Sequence, residues 1–219
     1  MKRLCSILLA ALFLFSTGQK ASAQLFTAGV GYSGIFETKT GGTGPSNSYT
    51  NGFTAGAEWH FGFYRHVGYI VGAHYLFATA RGFDDANPAV VETYRQHALL
   101  IPASVNYTFL ELGYDNQIFV FAGPTAEIGL SSHLYADNSD PVNLYTASTG
   151  GQNRLNLWAG GGIGLDIHRN VLLKVSYNYS LFNNARGADS GVHSIGRHIL
   201  SIGVQFTFAR NGYWAEARR

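Results

Sequence analysis

The chain has 219 residues, with 15 basic and 13 acidic side chains, 27 glycines, 13 tyrosines, 15 phenylalanines and one cysteine. Charged residues are 13% of the total, about half the quarter or so typical of a soluble domain. No basic patch suits nucleic acid, and a lone cysteine excludes internal disulfides and thiolate metal sites.

At the N-terminus Lys2 and Arg3 precede the apolar run "LCSILLAALFLF", and a polar stretch leads to Ala21 and Ala23 in "ASA". This order predicts a secretory signal peptide, residues 1–23, cleaved after Ala23. The competing reading is an anchor helix, but the run is shorter than the roughly 20 residues a helical span needs. Cys5 lies before most of the run, where a lipoprotein cysteine would follow it. Cleavage would remove Cys5 together with Lys2, Arg3 and Lys20, three of the 15 basic residues, leaving 12 against 13 acidic. One domain fits the remaining length.

Strands follow one another along the rest of the chain. Over 25–36, Phe26, Ala28, Val30 and Tyr32 alternate with Thr27, Gly29, Gly31 and Ser33. Over 52–62, Phe53, Ala55, Ala57, Trp59 and Phe61 alternate with Thr54, Gly56, Glu58 and His60. Over 67–79 the apolar set Val67 to Phe77 opposes Gly68, Gly72 and His74, and over 95–109 Leu99 to Phe109 opposes Pro102, Ser104, Asn106 and Thr108. Over 117–131, Ile118, Val120, Ala122, Ala126, Ile128 and Leu130 oppose Gly123, Thr125, Glu127 and Gly129. The stretch "LNLWAGGGIGLDIHRNVLLKVSYNYSLF", 155–182, reads as a hairpin about His168-Arg169-Asn170. A final strand, 197–208, sets His198, Leu200, Ile202, Val204, Phe206 and Phe208 against Arg197, Ser201, Gly203, Gln205 and Thr207. No helical period competes over comparable length.

About eight strands therefore each carry one apolar face and one face of small or polar residues. Connections alternate between short (near 63–66, 110–116 and 168–170) and long (near 37–50, 81–94, 132–152 and 183–196). Up-and-down strands gather short turns at one end and long loops at the other, the asymmetry of transmembrane barrels. The expected fold is all-β: a closed antiparallel up-and-down transmembrane β-barrel, with the apolar face and its aromatics on lipid. Glycine, serine and threonine then line an interior only wide enough for side chains. A secreted lipocalin-like barrel with the apolar face inside is the alternative, and its outer face would be short of charge for solubility.

"HALLIPASVNYTF" (97–109), "FVFAGPTAEIGL" (119–130), "WAGGGIGLDI" with "LLKVSYNYSLFN", and "HILSIGVQFTF" resemble successive strands of the outer-membrane β-barrel domain of Bacteroidetes type, the PorT-like group. The resemblance covers nearly all of 24–208 and implies an integral outer-membrane protein. One departure is the polar tail "ARNGYWAEARR", 209–219, where the family's insertion signal ends the chain at the aromatic, here Phe208.

Glu58, His60, His74, Glu127, Asp166, Lys174 and Arg197 fall on the small-polar face. They read as a lumen network of paired charges, since buried charges must be paired, with Asp166 and Lys174 as diagonal neighbours across the hairpin. A proton or ion path is the functional alternative. His193 and Ser194, with Asp189 nearby, invite a lipid-modifying hydrolase reading, but adjacency in sequence is weak support for a constellation defined by geometry. No metal-binding histidine spacing and no phosphate-cradling glycine loop occur, so no cofactor or metal is expected. The expected role is a structural or surface-interaction protein acting through its long loops, without catalysis. A narrow pore and a lipid-modifying enzyme are the alternatives. Expected partners are outer-membrane lipid, the barrel-assembly machinery and an extracellular ligand at the loops, with no nucleic acid and a monomeric state.

Overall fold

A computed structural model of the chain describes residues 24–41, 46–64, 66–83, 91–112, 116–136, 140–146, 151–168, 170–183, 185–186 and 192–210. The expected signal peptide, Asp189 and the end of the tail, 211–219, lie outside the described residues. The strands are β1 (Gln24–Gly41), β2 (Ser46–Tyr64), β3 (Val67–Phe83), β4 (Val91–Leu112), β5 (Asn116–Ala136), β6 (Val142–Asn143), β7 (Gly151–Gln152), β8 (Leu155–Ile167), β9 (Val171–Ser180), β10 (Ala185–Arg186) and β11 (Val192–Arg210). Eight of them close a ring in the order β4-β3-β2-β1-β11-β9-β8-β5, with β5 returning to β4. Every pairing is antiparallel, so the fold is an up-and-down barrel with no free edge in the ring.

Residues 65–66, 113–115 and 168–170 join strands at one end. Residues 42–45, 84–90, 137–154 and 181–191 join them at the other. In the last short turn His168 has φ 48°, in the left-handed region, and its N–H donates to Asn116 Oδ1 at 2.9 Å, tying this turn to the start of β5.

The strands run further than the hydrophobic alternation indicates. Glu37–Gly41 and Ser46–Thr50 continue β1 and β2, β4 begins at Val91, and β11 spans Val192–Arg210. Much of the expected loop 37–50 is therefore ladder, and the barrel closes two residues beyond Phe208, where Leu25 pairs with Arg210. The cause is physical: beyond the apolar band both faces are polar and period two vanishes from the sequence, while backbone hydrogen bonds go on pairing.

The two faces are as the alternation requires. Val30, Phe53, Val105, Ile163, Val175 and Ile202 are each between 47% and 60% exposed. In register, Ile202 lies opposite Val175, Val175 opposite Ile163, and Ile163 opposite Val120, so the outward apolar residues form a belt that crosses strand boundaries. An exposed apolar band of this extent needs an apolar surrounding. Thr27, Ser33, Glu58, Glu127 and Arg197 take the opposite phase and are buried inside.

The interior is less uniformly small and polar than expected. Ile70, Phe119 and Leu172 pack together with Phe121, and Ile35, Leu76, Ala78, Ala98, Trp158 and Ile199 pack with Leu100. Glycines make room for these groups. A Cβ on Gly164 would run into the Phe119 ring, so the glycine-rich β8 is the floor on which an inward aromatic lies.

Candidate functional site

The polar interior falls into two tiers. In the tier nearer the short turns, Glu58 on β2 is the hub. Lys174 on β9 reaches across the lumen and donates through Nζ to both its oxygens, at 2.8 and 2.9 Å. His74 Nε2 is 3.0 Å from Oε1 and His60 Nε2 is 3.2 Å from Oε2. Three nitrogen groups from three directions compensate a carboxylate that would be costly to bury alone. Lys174 Nζ also lies 4.4 Å from the Phe121 ring centre, so its cation meets a ring face on its other side.

The tier nearer the long connections is built on Arg197 of β11. Its Nη1 donates to Glu127 Oε1 at 3.2 Å and its Nη2 to Gln96 Oε1 at 2.9 Å. Its Nε is 2.8 Å from Glu37 Oε1, an ion contact lying off the N–H axis. Gln96 Nε2 and Trp158 Nε1 both donate to Glu127, each at 2.9 Å. Arg197 therefore sits between two glutamates at 1% exposure, with the Trp158 ring centre 5.3 Å from its Cζ. The rigid fork of a guanidinium suits such many-sided pairing.

Above this tier the connection between β5 and β8 turns inward. Leu144 N–H donates to Ser132 O at 2.9 Å, Gln152 N–H to Leu144 O at 2.8 Å, and Gly129 N–H to Arg154 O at 2.6 Å. These bonds carry Tyr145 into the barrel mouth, where it is 1% exposed and packs over Gly129, a position at which any Cβ would collide with its ring. Burial pushes the Tyr145 phenol above its usual range, so it remains a neutral hydroxyl, accepting from Gln96 Nε2 at 3.4 Å. The connection expected to face outward over 132–152 thus spends part of its length as a plug.

Of the seven residues singled out from sequence, the structure gathers Glu58, His60, His74 and Lys174 in one tier and Glu127 with Arg197 in the other. Asp166 lines a separate cavity of about 50 Å³ with His60, Asn106, Gln117 and Leu172. The hairpin register does set Asp166 and Lys174 on a diagonal, opposite Leu172 and Gly164, but the lysine ammonium is directed at Glu58. Sequence reasoning missed Glu37, Gln96, Tyr94, Tyr145 and Trp158. Strand parity could have found four of them: Trp158 shares the phase of Gly160 and Gly162, Glu37 that of Ser33 and Ile35, and Tyr94 and Gln96 that of Pro102 and Ser104. The backbones of His193 and Ser194 belong to β11, and their side chains lie outside the described residues. Among the described residues no group of three His, Cys, Asp or Glu side chains is placed to hold a metal ion.

A cavity of about 120 Å³ lies in the mid-lumen, lined among others by Glu58, His74, Lys174, Ser104, Asn178 and Gln205. It is distinct from the smaller one below, and the Arg197 tier and Tyr145 stand between it and the long-connection end.

Comparison with known proteins gives two kinds of match. A family model described as "Outer membrane protein beta-barrel domain" matches residues 19–186. Among solved structures the chain is similar to Ail, the attachment invasion locus protein of Yersinia pestis, at 13% identity and TM-score 0.46, covering 86% of this chain and 99% of that one. It is similar to Neisserial surface protein A at 13% identity and TM-score 0.44, covering 84% and 97%. The outer membrane enzyme PagL is similar at 14% identity and TM-score 0.43, covering 80% and 99%. No curated protein sequence matches the chain.

Proposed function

The chain belongs to the outer membrane protein beta-barrel domain family, and from that premise we propose that it is a closed, non-catalytic barrel whose working surface is its long-connection end, turned to the cell exterior. The observation that carries this reading is the Arg197 tier, a guanidinium buried between Glu37 and Glu127 with Tyr145 over it, which on this reading closes the lumen to solutes. A conducting lumen would need those ion pairs broken, and an enzyme would need a polar group reachable from lipid or water. The lumen charges Glu58, Lys174, Glu127 and Arg197 are turned to one another instead. On this reading the connections 84–90, 137–154 and 181–191 meet an extracellular ligand, and the polar lumen is a filling that holds the ring in shape. The PorT-like type within the family, cleavage after Ala23, insertion by the barrel-assembly machinery and a monomeric state belong to the same proposal, on the strand motifs and leader pattern given above.

Two measurements test it. In planar bilayers the purified protein should show no stepwise conductance, and sustained single-channel steps would favour the pore. Lipid A mass spectra from cells with and without the protein should be identical. A mass change matching acyl loss or gain would make it an enzyme, with His193 and Ser194 the first positions to substitute.

A further inference from the structure

The outward face of β4 carries Tyr107, Val105, Ala103, Ile101 and Leu99, and then turns abruptly to His97 and Arg95. From Tyr107 to His97 the strand rises about 33 Å along its own axis, or about 25 Å along the membrane normal at a tilt of roughly 40°. That is the height of the apolar band, so His97 and Arg95 stand at headgroup level on the long-connection side. One of their register neighbours, His133, is a further base. Arg95 lies opposite Thr79 on β3 and His133 on β5, and His97 opposite Phe77. Arg81, two residues past Thr79, is exposed on the same face.

Among the described residues Arg81 and Arg95 have no carboxylate partner. Arg95 Cζ lies 5.0 Å from the Tyr135 ring centre, so the ring braces the guanidinium. His97 is hydrogen-bonded through Nδ1 to the Tyr75 hydroxyl and tilted against Phe77, with ring centres 5.1 Å apart. Among the described residues no carboxylate shares this face at this level. Glu92, the nearest along β4, has the inward phase of Tyr94 and Gln96. The opposite wall is built differently: the outward faces of β1, β2, β9 and β11 carry Tyr32, Tyr49, Asn51, Tyr177 and Tyr179, with His198 hydrogen-bonded to Tyr177. Two arginines and two histidines clustered on one outward face complement an anionic headgroup and not bulk zwitterionic lipid.

We propose that the outward faces of β3, β4 and β5 above Leu99 form a headgroup site for a phosphate-bearing membrane lipid, with Arg81 and Arg95 as its donors and His97 and His133 flanking them. Arginine presents parallel N–H groups that match phosphate oxygens in pairs. Which leaflet supplies the lipid rests on the orientation proposed above, whereas the site itself does not.

The test uses the full chain folded into phosphatidylcholine nanodiscs doped with bisphosphorylated lipid A, which enters both leaflets, so a wrong orientation leaves the result unchanged. Native mass spectrometry of the released protein counts retained lipid A. The parent should retain it, and R81Q/R95Q should retain at least tenfold less while keeping heat-modifiable mobility on gels. H198Q, on the opposite wall, should retain it like the parent. Equal retention by R81Q/R95Q and the parent overturns the site. If the double variant does not fold, the parent alone decides: preference for bisphosphorylated over dephosphorylated lipid A of at least tenfold is expected, and equal retention of the two overturns the proposal.

Discussion

Arg197 concentrates more consequence than any other side chain in the described lumen. It neutralises Glu37 and Glu127, both buried, and its removal would leave two carboxylates facing each other across a dry interior. Arg197→Gln should therefore destabilise the barrel by about 3–5 kcal/mol, the cost of stranding a buried charge, read by urea titration in lipid vesicles. Removing all three charges together need not cost as much, so Glu37→Gln/Glu127→Gln/Arg197→Met should recover a large part of the loss. A triple variant no better than the single one would mean that shape and not charge is what this tier supplies. The charged members of the tier on the expected strands, Glu127 and Arg197, were legible in the sequence because a charge on a small-residue face stands out. Phe119, Phe121 and Trp158 were not, because an aromatic in a barrel strand is assigned outward by its type. Their parity, shared with Gly123, Thr125 and Gly160, points inward, and Gly164 and Gly162, opposite Phe119 and Phe121, give the two rings room.

At the level of the element, the hairpin β8–β9 shows how strictly the two phases are kept. Val175 lies between Ile163 and Ile202 on the outer belt, 47% exposed, whereas Ser176 points inward opposite Gly162 and Ser201. Val175→Arg should cost about 2–4 kcal/mol if the residue stands near the bilayer midplane, measured by folding titration in lipid; no penalty would mean the outer belt does not face lipid. The closing strand gives a second expectation. Because β11 pairs with β1 as far as Arg210, deletion of 211–219 should leave a heat-modifiable, inserted barrel, and deletion of 206–219 should abolish assembly. Loss of insertion on removing 211–219 alone would place the true end of the strand beyond Arg210. Strand number and order were readable from alternation and loop length. Strand ends were not, since outside lipid nothing selects an apolar face, and the ladder through Glu37–Gly41 and Ser46–Thr50 carries polar residues on both sides.

For the molecule as a whole, loop lengths set the expected orientation. A cysteine replacing Asp140, exposed on the longest connection, should react with an impermeant maleimide on intact cells, and one replacing Asn170, in a short turn, should not. The reverse pattern would invert the barrel in the membrane. What the sequence did not disclose at this scale is the inward fold of the β5–β8 connection: Tyr145 reads as a loop residue among Asn, Ser and Gly, and only the backbone bonds to Ser132 and Gly129 bring it over the lumen. The central claim is that apolar residues face lipid while the other face fills a closed interior, and two of the three tryptophans stand on opposite sides of that boundary. Trp59 is 44% exposed against Phe26 on the outer face, and Trp158 is 1% exposed, bonded to Glu127 inside. Variants keeping one tryptophan each, with the others replaced by phenylalanine, can be folded into vesicles of lipid brominated along its acyl chains. Strong quenching of Trp59 with little or none of Trp158 is the result expected, and quenching of Trp158 with Trp59 unaffected would contradict the account.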